Sequence, residues 1–262
     1  MKFCRFLPGG TSAQLPVSAL YGVLDGDSIR DISGPPWSSW SQGSGSWRLA
    51  DVRLLAPVDP GKIVCVGRNY AAHAAELGNE VPKEPLIFLK PPSAIIGPGE
   101  AIVLTRQSQR VEHEGELALI VGRRCSQLKD SDDALSYLLG YSCLNDVTAR
   151  DLQKSDVQFT RAKGFDTFCP VGPHIETELD PTNVLVETHV NGAPRQSGST
   201  SLMSYPVAFL VRWISRVMTL FPGDLIATGT PAGVGPLVAG DTVEVSIGGV
   251  GVLRNPVQAP HT

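Results

Sequence analysis

The sequence predicts a mixed α/β protein that is rich in β-strands. Short apolar runs bounded by Gly, Pro or Asn recur through the 262 residues, and the run at 111–121 is apolar on both faces, as in a covered strand. The clearest helix spacing, with apolar residues three and four apart, is confined to residues 204–218. A content of 42% hydrophobic and 18% charged residues is typical of a globular protein with a sizeable core.

The order of these patterns divides the chain into residues 1–58 and residues 59–262. The first part contains strand patterns such as residues 17–26, followed by a Gly-, Ser- and Pro-rich segment at 33–47 that favours loops. We therefore expect a small N-terminal β domain with a linker. The second part opens with the apolar run 62–67 and is long enough to form the main domain.

Charge and composition limit the partners of the protein. The net charge is −4 and no stretch is strongly basic, so we expect neither nucleic acid nor a membrane surface as a partner. No apolar run approaches the ~20 residues that span a bilayer, and the first residues lack a signal-peptide pattern, which predicts a cytoplasmic protein. The five cysteines are scattered without a C-x-x-C pair, so we expect reduced core residues. A small molecule is the expected partner.

Glu114 and Glu116 stand two residues apart inside the apolar run 111–121. If this run is a strand, both carboxylates lie on one face, together with Ala118 and Ile120. Buried like charges repel each other unless a cation lies between them, which predicts a metal site. The alternative is an exposed edge strand with two solvated glutamates, and the apolar flanks on both faces favour the metal.

Asp146 follows the strand pattern of residues 141–145, at a position where side chains of several strands can converge. It could instead cap a helix over residues 148–153, since Asp is a preferred N-cap. With Glu114 and Glu116 it makes a set of three carboxylates without a histidine. Such a set suits a hard cation that takes oxygen ligands, namely Mg²⁺, Mn²⁺ or Ca²⁺.

Two further segments carry candidate catalytic groups. Residues 71–78 predict one or two helical turns, on which His73 and Glu76 are neighbours, so the carboxylate can hold the imidazole in one tautomer. An incidental exposed pair is an equal alternative. Lys163 lies in the loop-like segment 159–173. Beside a metal its ammonium can offset the charge of an anionic substrate or enolate, although a lone lysine is usually a solvated surface charge.

The remaining patterns predict structural elements. We expect a short amphipathic helix at 131–141, a strand at 183–190 that ends in an Asn191-Gly192 turn, and a long helix capped by Ser204 with Pro206 in its first turn. Two strands near the C-terminus are joined through Gly248 and Gly249. The glycine-rich loop after residue 228 matches no nucleotide-binding fingerprint.

Six motifs in one order resemble the fumarylacetoacetate hydrolase superfamily. They cover residues 67–78, 85–99, 111–123, 145–153, 162–173 and 222–236. The chain looks like the short prokaryotic-type members, a group of acylpyruvate hydrolases, oxaloacetate decarboxylases and hydroxyheptadienedioate isomerases. The resemblance implies a β-roll like the C-terminal domain of the family over residues 59–262, with metal-dependent catalysis there, a small N-terminal β segment, and a homodimer.

The resemblance also implies roles for individual residues. Those roles are metal ligands at Glu114, Glu116 and Asp146, an active-site lysine at Lys163, substrate contacts at Gln153 and Thr230, and a water-activating dyad of His73 and Glu76. The expected cofactor is Mg²⁺, or Mn²⁺ or Ca²⁺ in its place. Larger members have a tyrosine four residues beyond the Gln153 position, where this chain has Val157.

The activity that the resemblance implies is chemistry on 2-oxo or β-diketo acids through a metal-stabilised enolate. We expect carbon–carbon bond hydrolysis of an acylpyruvate-like acid or decarboxylation of an oxaloacetate-like acid, because the dyad is present. One alternative is a 2-hydroxyhepta-2,4-diene-1,7-dioate-type isomerase of aromatic catabolism. The second alternative is a catalytically idle relative that only binds metal.

Overall fold

The computed structural model of the chain describes residues 1–9 and 18–260. Strands make up 42% and helices 16% of it, which confirms the predicted mixed α/β, strand-rich class. The predicted strand at 17–26 begins at Val17, which lies outside the described residues, and continues as a strand from residue 20 onward.

The N-terminal part forms five strands. They are β1 (Lys2–Pro8), β2 (Leu20–Asp25), β3 (Ser28–Ile32), β4 (Gln42–Arg48) and β5 (Val52–Leu55). The prediction of loops at 33–47 is wrong over its second half, because β4 pairs antiparallel with β3. Trp47 of β4 packs edge-on against Phe6, with 5.2 Å between the ring centroids. This contact holds a Gly- and Ser-rich segment on the sheet edge.

The rest of the described chain contains fifteen strands and four α-helices. The strands are β6 (Ile63–Gly67), β7 (Leu86–Lys90), β8 (Ile95–Ile96), β9 (Ile102–Val103), β10 (Val111–His113), β11 (Gly115–Val121), β12 (Leu138–Asn145), β13 (Thr148–Ala149), β14 (Cys169–Glu176), β15 (Leu185–Val190), β16 (Ala193–Ser199), β17 (Leu225–Ala227), β18 (Gly235–Pro236), β19 (Thr242–Ile247) and β20 (Gly251–Gln258). The helices are α1 (Ala71–Glu76), α2 (Arg150–Ser155), α3 (Thr160–Lys163) and α4 (Val207–Val217).

These strands form three sheets. The largest has the order β4-β3-β2-β1-β14-β12-β11-β17-β6-β7, with β5 paired to β1 and β8 paired to β14. The other two have the orders β13-β10-β18 and β16-β15-β19-β20-β9. Because β1 pairs with β14, the N-terminal strands extend the sheet of the main part. The division at residues 58 and 59 stays a prediction, as does the homodimer.

The run 111–121 is a pair of strands that separate at Glu114. The side-chain oxygen of Asn145 accepts from the Glu114 N–H at 2.9 Å, and that of Gln196 accepts from the Gly115 N–H at 3.0 Å. Side chains therefore accept from the two backbone N–H groups at the break. Residues Leu117, Leu119 and Val121 enter the core that contains α4, whereas Ala118 and Ile120 enter a second core on the other face. The run is buried throughout, which rules out the exposed edge strand.

Several predicted elements differ from the structure. The helix at 131–141 is only a 3₁₀ turn at Ala134–Tyr137, because the chain from Leu138 onward pairs with β11, and this pairing prevails over a short amphipathic pattern. The segment 159–173 is not a loop, since it contains α3 and the start of β14. Ser204 does not cap α4, whose N-cap position is Pro206.

Other predictions are confirmed. Asn191 and Gly192 form the turn between β15 and β16 with φ values of 53° and 77°, the left-handed region that a tight hairpin turn requires. Strands β19 and β20 form the expected C-terminal hairpin. The five cysteines are buried and free, and burial raises the pKa of Cys169 to about 12. Within residues 1–9 and 18–260, no helix is long and apolar enough to cross a membrane.

Candidate metal centre and acid–base pair

The predicted site residues converge on one cavity of about 300 Å³. Seven of the eight line it, namely His73, Glu114, Glu116, Asp146, Gln153, Lys163 and Thr230. Glu76 lies behind His73 and contacts it. Residues more than 150 positions apart in the chain are thus brought together, because β6, β12 and β17 end, and β11 begins, at or beside this cavity.

The three carboxylates form a compact buried cluster. Glu114 lies at the break between β10 and β11, Glu116 lies one residue into β11, and Asp146 follows the last residue of β12, whose Asn145 is paired with Gly115. One oxygen from each carboxylate lies within 4.8 Å of the others, and the three side chains are at most 5% exposed. Asp146 does not cap α2, because the N-cap position is Ala149 and the Asp146 carboxylate binds lysines instead.

Buried cations balance part of this negative charge. The Lys163 ammonium donates to Glu114 Oε2 at 2.7 Å and to Asp146 Oδ2 at 2.6 Å, so this lysine is not a surface charge. Lys90 donates to Asp146 Oδ1 at 2.6 Å. Arg150 forms ion pairs with Glu114 and with Glu112. Lys90 and Arg150 thus each bind a carboxylate of the cluster. The sequence patterns assign neither of these two cations to the site.

The ion pairs set the protonation of two of these groups. Burial acts to raise the pKa of Glu114, but Lys163 and Arg150 outweigh it and hold that pKa well below its ordinary value. Burial likewise opposes the charge of Lys163, yet Asp146 and Glu114 raise the pKa of the lysine above its ordinary range. These groups therefore stay ionised at neutral pH.

Glu116 differs from its neighbours. Its Oε2 accepts from the Gly229 N–H at 2.7 Å, and it forms no ion pair with any of the residues that the structure describes. Burial, reinforced by the Asp146 and Glu114 charges, raises its pKa well above 4.5. A divalent cation would relieve this repulsion, and a purely carboxylate donor set fits Mg²⁺, Mn²⁺ or Ca²⁺. The residues present therefore fit a metal of this kind.

His73 and Glu76 are arranged as an acid–base pair. His73 is 5% exposed on α1, and its Nδ1 lies 3.3 Å from Glu76 Oε2. Glu76 Oε1 accepts from the Gly233 N–H at 3.0 Å, so both carboxylate oxygens are engaged. A carboxylate at Nδ1 favours the tautomer with its proton there, which leaves Nε2 as the basic nitrogen. The geometry favours a paired role over an incidental contact.

The two predicted substrate contacts are also held in place. Thr230 Oγ1 donates to the Gly115 carbonyl at 2.8 Å and accepts from Gln196 Nε2 at 2.7 Å. Gln153 accepts from Arg150 through its amide oxygen. Val157, at the position where larger members have a tyrosine, is 93% exposed and does not line the cavity.

Besides Arg150, three residues of the site were missed from the sequence. Lys90 ends the apolar strand β7, where a lysine is usually a solvated surface charge, so its burial gave no signal in the sequence. Gln196 gave no signal either, because it comes from another sheet and reaches the site only through the fold. Arg68, directly after β6, also lines the cavity.

A strand-rich α/β fold whose buried carboxylates, lysine and histidine meet in one cavity is typical of an enzyme that acts on a small molecule. The sequence matches the family described as fumarylacetoacetate (FAA) hydrolase C-terminal over residues 62–258, and the Rv2993c-like N-terminal family over residues 1–57. The chain belongs to the fumarylacetoacetate hydrolase family.

Relatives in this family have names from several reaction classes. The chain is 40% identical to oxaloacetate tautomerase YisK of Bacillus subtilis, over 82% of this chain and 76% of that one. The structure resembles that of 2-hydroxyhepta-2,4-diene-1,7-dioate isomerase from Mycobacterium marinum, with 46% identity, a TM-score of 0.90 and complete coverage of both chains. It also resembles a fumarylacetoacetate hydrolase from the psychrophilic Exiguobacterium antarcticum, with 43% identity, a TM-score of 0.86 and 99% coverage of each chain.

Proposed function

We propose that the protein is a divalent-metal-dependent enzyme that forms the enolate of a 2-oxo acid and catalyses keto–enol tautomerisation of an oxaloacetate-like acid. The observation that carries this proposal is the meeting of Glu114, Glu116, Asp146, Lys163 and His73 in one cavity. A bound cation would supply the positive charge that stabilises an enolate. Glu114, Glu116 and Asp146 are the proposed ligands.

The protein side chains account for the proton transfer. His73, held by Glu76 through Nδ1, offers Nε2 as the base that takes a proton from the carbon next to the ketone. Return of that proton to the oxygen gives the enol, and return to the carbon restores the ketone, so the reaction is balanced without water or a redox partner. Lys163 provides a fixed ammonium at the carboxylate cluster, where it offsets the charge of an anionic acid.

The names of two relatives support a proton-transfer reaction for this protein. YisK is named a tautomerase and the Mycobacterium marinum protein an isomerase. Both reactions move a proton between carbon atoms or between carbon and oxygen and leave the carbon skeleton intact. Buried cations around an anionic intermediate are what such a reaction requires.

Carbon–carbon bond hydrolysis of an acylpyruvate-like acid is the second candidate. The His73–Glu76 pair favours it, because an oriented imidazole can take a proton from water as well as from carbon. Decarboxylation of an oxaloacetate-like acid passes through the same enolate and needs no attacking water. The three reactions therefore share the site and differ in products.

Product analysis separates these reactions. Protein with Mg²⁺ is incubated with oxaloacetate and, separately, with acetylpyruvate, and products are followed by NMR against buffer with the same Mg²⁺. The proposal predicts faster interconversion of the oxaloacetate tautomers with no added formation of pyruvate or acetate. Pyruvate and acetate from acetylpyruvate would move the function to hydrolysis, and pyruvate from oxaloacetate would move it to decarboxylation. An unchanged rate in every assay would contradict enolate chemistry on these acids.

A further inference from the structure

Arg68 has an unusual backbone for a residue on the cavity wall. It follows the last residue of β6 and has a φ of 56°, in the left-handed region that side chains rarely adopt. The other residues described with a positive φ, glycines apart, are Gln127, Thr167 and Asn191, and none of them lines the cavity. A strained conformation at a cavity wall calls for an explanation in terms of what the side chain does there.

The neighbouring residue imposes this conformation. The buried Asn69 side chain donates to the Thr228 carbonyl at 2.8 Å and to the Tyr205 carbonyl at 3.1 Å, and it accepts from the Tyr205 N–H at 2.8 Å. The Asn69 carbonyl accepts from the Ser204 N–H at 2.8 Å. The turn is therefore fixed by contacts that do not involve the Arg68 side chain, and that side chain is held at the wall.

The cationic side chains that line the cavity differ in whether they form ion pairs with carboxylates of the protein. Arg150 and Lys163 bind the buried carboxylates. Arg68 and Lys154 form no ion pair and no side-chain hydrogen bond within residues 1–9 and 18–260. Lys154 is exposed to solvent, whereas Arg68 is half-buried. A half-buried guanidinium without a protein partner is available to an anionic ligand.

We propose that Arg68 binds a second carboxylate of the substrate, remote from the oxo-acid group, and so selects dicarboxylates over monocarboxylates. This inference rests on the proposed function, because it requires the oxo-acid group to bind at Glu114, Glu116, Asp146 and Lys163. The charge of the oxo-acid group is balanced at the carboxylate cluster, so a second carboxylate of the substrate needs a separate cation. A planar guanidinium binds a carboxylate through two parallel hydrogen bonds, which a monocarboxylic acid with an alkyl end cannot accept.

Two acids of equal chain length test this role. 2-Oxopentanedioate and 2-oxopentanoate differ only in a terminal carboxylate or methyl group, and oxalate probes the metal-binding position alone. Affinities are measured by calorimetry with Mg²⁺-saturated wild type, Arg68→Gln and the matched control Lys154→Gln. We expect the wild type and the Lys154 variant to bind the dicarboxylate about tenfold or more tightly than the monocarboxylate, and Arg68→Gln to bind both alike, with its oxalate affinity within about twofold of the wild type.

Equal affinity of the wild type for the two acids would overturn the role of Arg68. So would a preference that survives in Arg68→Gln or is lost in Lys154→Gln. If the Gln variant fails to fold, Arg68→Asn replaces it, since asparagine accepts a left-handed backbone more readily. Failure of the oxo-acid position at the carboxylate cluster, on which the proposed function depends, is distinct, because Mg²⁺-loaded wild type would then bind neither oxalate nor either oxo acid.

Discussion

Lys90 donates a 2.6 Å hydrogen bond to Asp146 Oδ1, and neither side chain is more than 1% exposed. Lys163 donates to the other oxygen of the same carboxylate at 2.6 Å. One buried carboxylate is thus held between two ammonium groups from different parts of the chain. This arrangement fixes the orientation of Asp146 before any ligand binds.

Replacing Lys90 tests the importance of this ion pair. In Lys90→Met a buried carboxylate loses one of its two cations, and we expect the free energy of unfolding to fall by about 3 kcal/mol. Urea unfolding with EDTA present measures this change. The control Lys129→Met, at an exposed position, should lower the free energy of unfolding by less than about 0.5 kcal/mol. A similar small loss in Lys90→Met would contradict a structural role for the pair.

Neutralising Glu116 is expected to change stability and metal binding in opposite directions. Glu116→Gln removes the group whose ionised form Asp146 and Glu114 disfavour, and it keeps an oxygen for the Gly229 N–H. The metal-free variant should melt at the same or a higher temperature than the wild type, whereas its Mg²⁺ affinity should fall by about tenfold or more. Thermal melts with EDTA and with Mg²⁺ measure both effects. Glu187→Gln, on β15, is the matched control and should change neither.

Metal binding should release a proton from Glu116 at pH values above 4.5. In the metal-free protein, burial and the Asp146 and Glu114 charges raise the pKa of Glu116 well above 4.5, so its carboxyl keeps its proton to higher pH than an ordinary glutamate does, and a metal ligand must lose that proton. Mg²⁺ affinity should therefore increase with pH until this carboxyl is ionised without metal. The same raised pKa means that Glu116 opposes folding more strongly as pH rises above 4.5. Calorimetry in buffers of different ionisation enthalpy counts the protons, and a pH-independent affinity would contradict the prediction.

Gly233 is expected to support the acid–base pair. It has a φ of 104°, a Cβ there would collide with the Arg195 carbonyl, and its N–H donates to Glu76. Gly233→Ala should displace this N–H and lower turnover by about tenfold, while Mg²⁺ affinity is retained. Gly235→Ala is the control, since a Cβ there meets nothing closer than 3.5 Å. Equal turnover in the two variants would show that Glu76 does not depend on Gly233.

Replacing Gln196 tests whether its side chain holds Thr230 in place. Its side chain accepts from His113 and Gly115 and donates to Thr230 and the Pro231 carbonyl, so Gln196→Leu leaves buried polar groups without partners. We expect a loss of about 2–4 kcal/mol in the free energy of unfolding, because each unpaired group costs about 1–3 kcal/mol. Chemical denaturation measures it. Gln107→Leu, at an exposed position, should have little effect.

Local spacing predicted the central part of the site. The period of two in a strand places Glu114 and Glu116 together, and the three-residue spacing on a helix places His73 beside Glu76. Asp146 could be placed because its segment reads as a strand end. These placements depend only on residues close together in sequence or on the position where a strand ends. The periodicity of the sequence predicts both.

The features that the sequence did not predict depend on contacts between residues far apart in the chain. Lys90 is 56 residues from Asp146, and Gln196 is 81 residues from Gly115, so no local pattern connects them. The expected helix at 131–141 became a 3₁₀ turn and a strand because β11 provides a partner for β12. The Gly- and Ser-rich β4 likewise owes its form to β3.

In the proposed function, the protein forms the enolate of a 2-oxo acid with the help of His73 and a metal. Deuterium incorporation at the carbon next to the ketone of oxaloacetate, followed by NMR in D₂O, measures this step directly. With Mg²⁺, exchange should be faster with wild-type protein than in buffer containing the same Mg²⁺, and this gain should be lost in His73→Ala but kept in His189→Ala. Exchange no faster than in buffer, or an equal gain with His73→Ala, would contradict enolate formation by His73 and a metal.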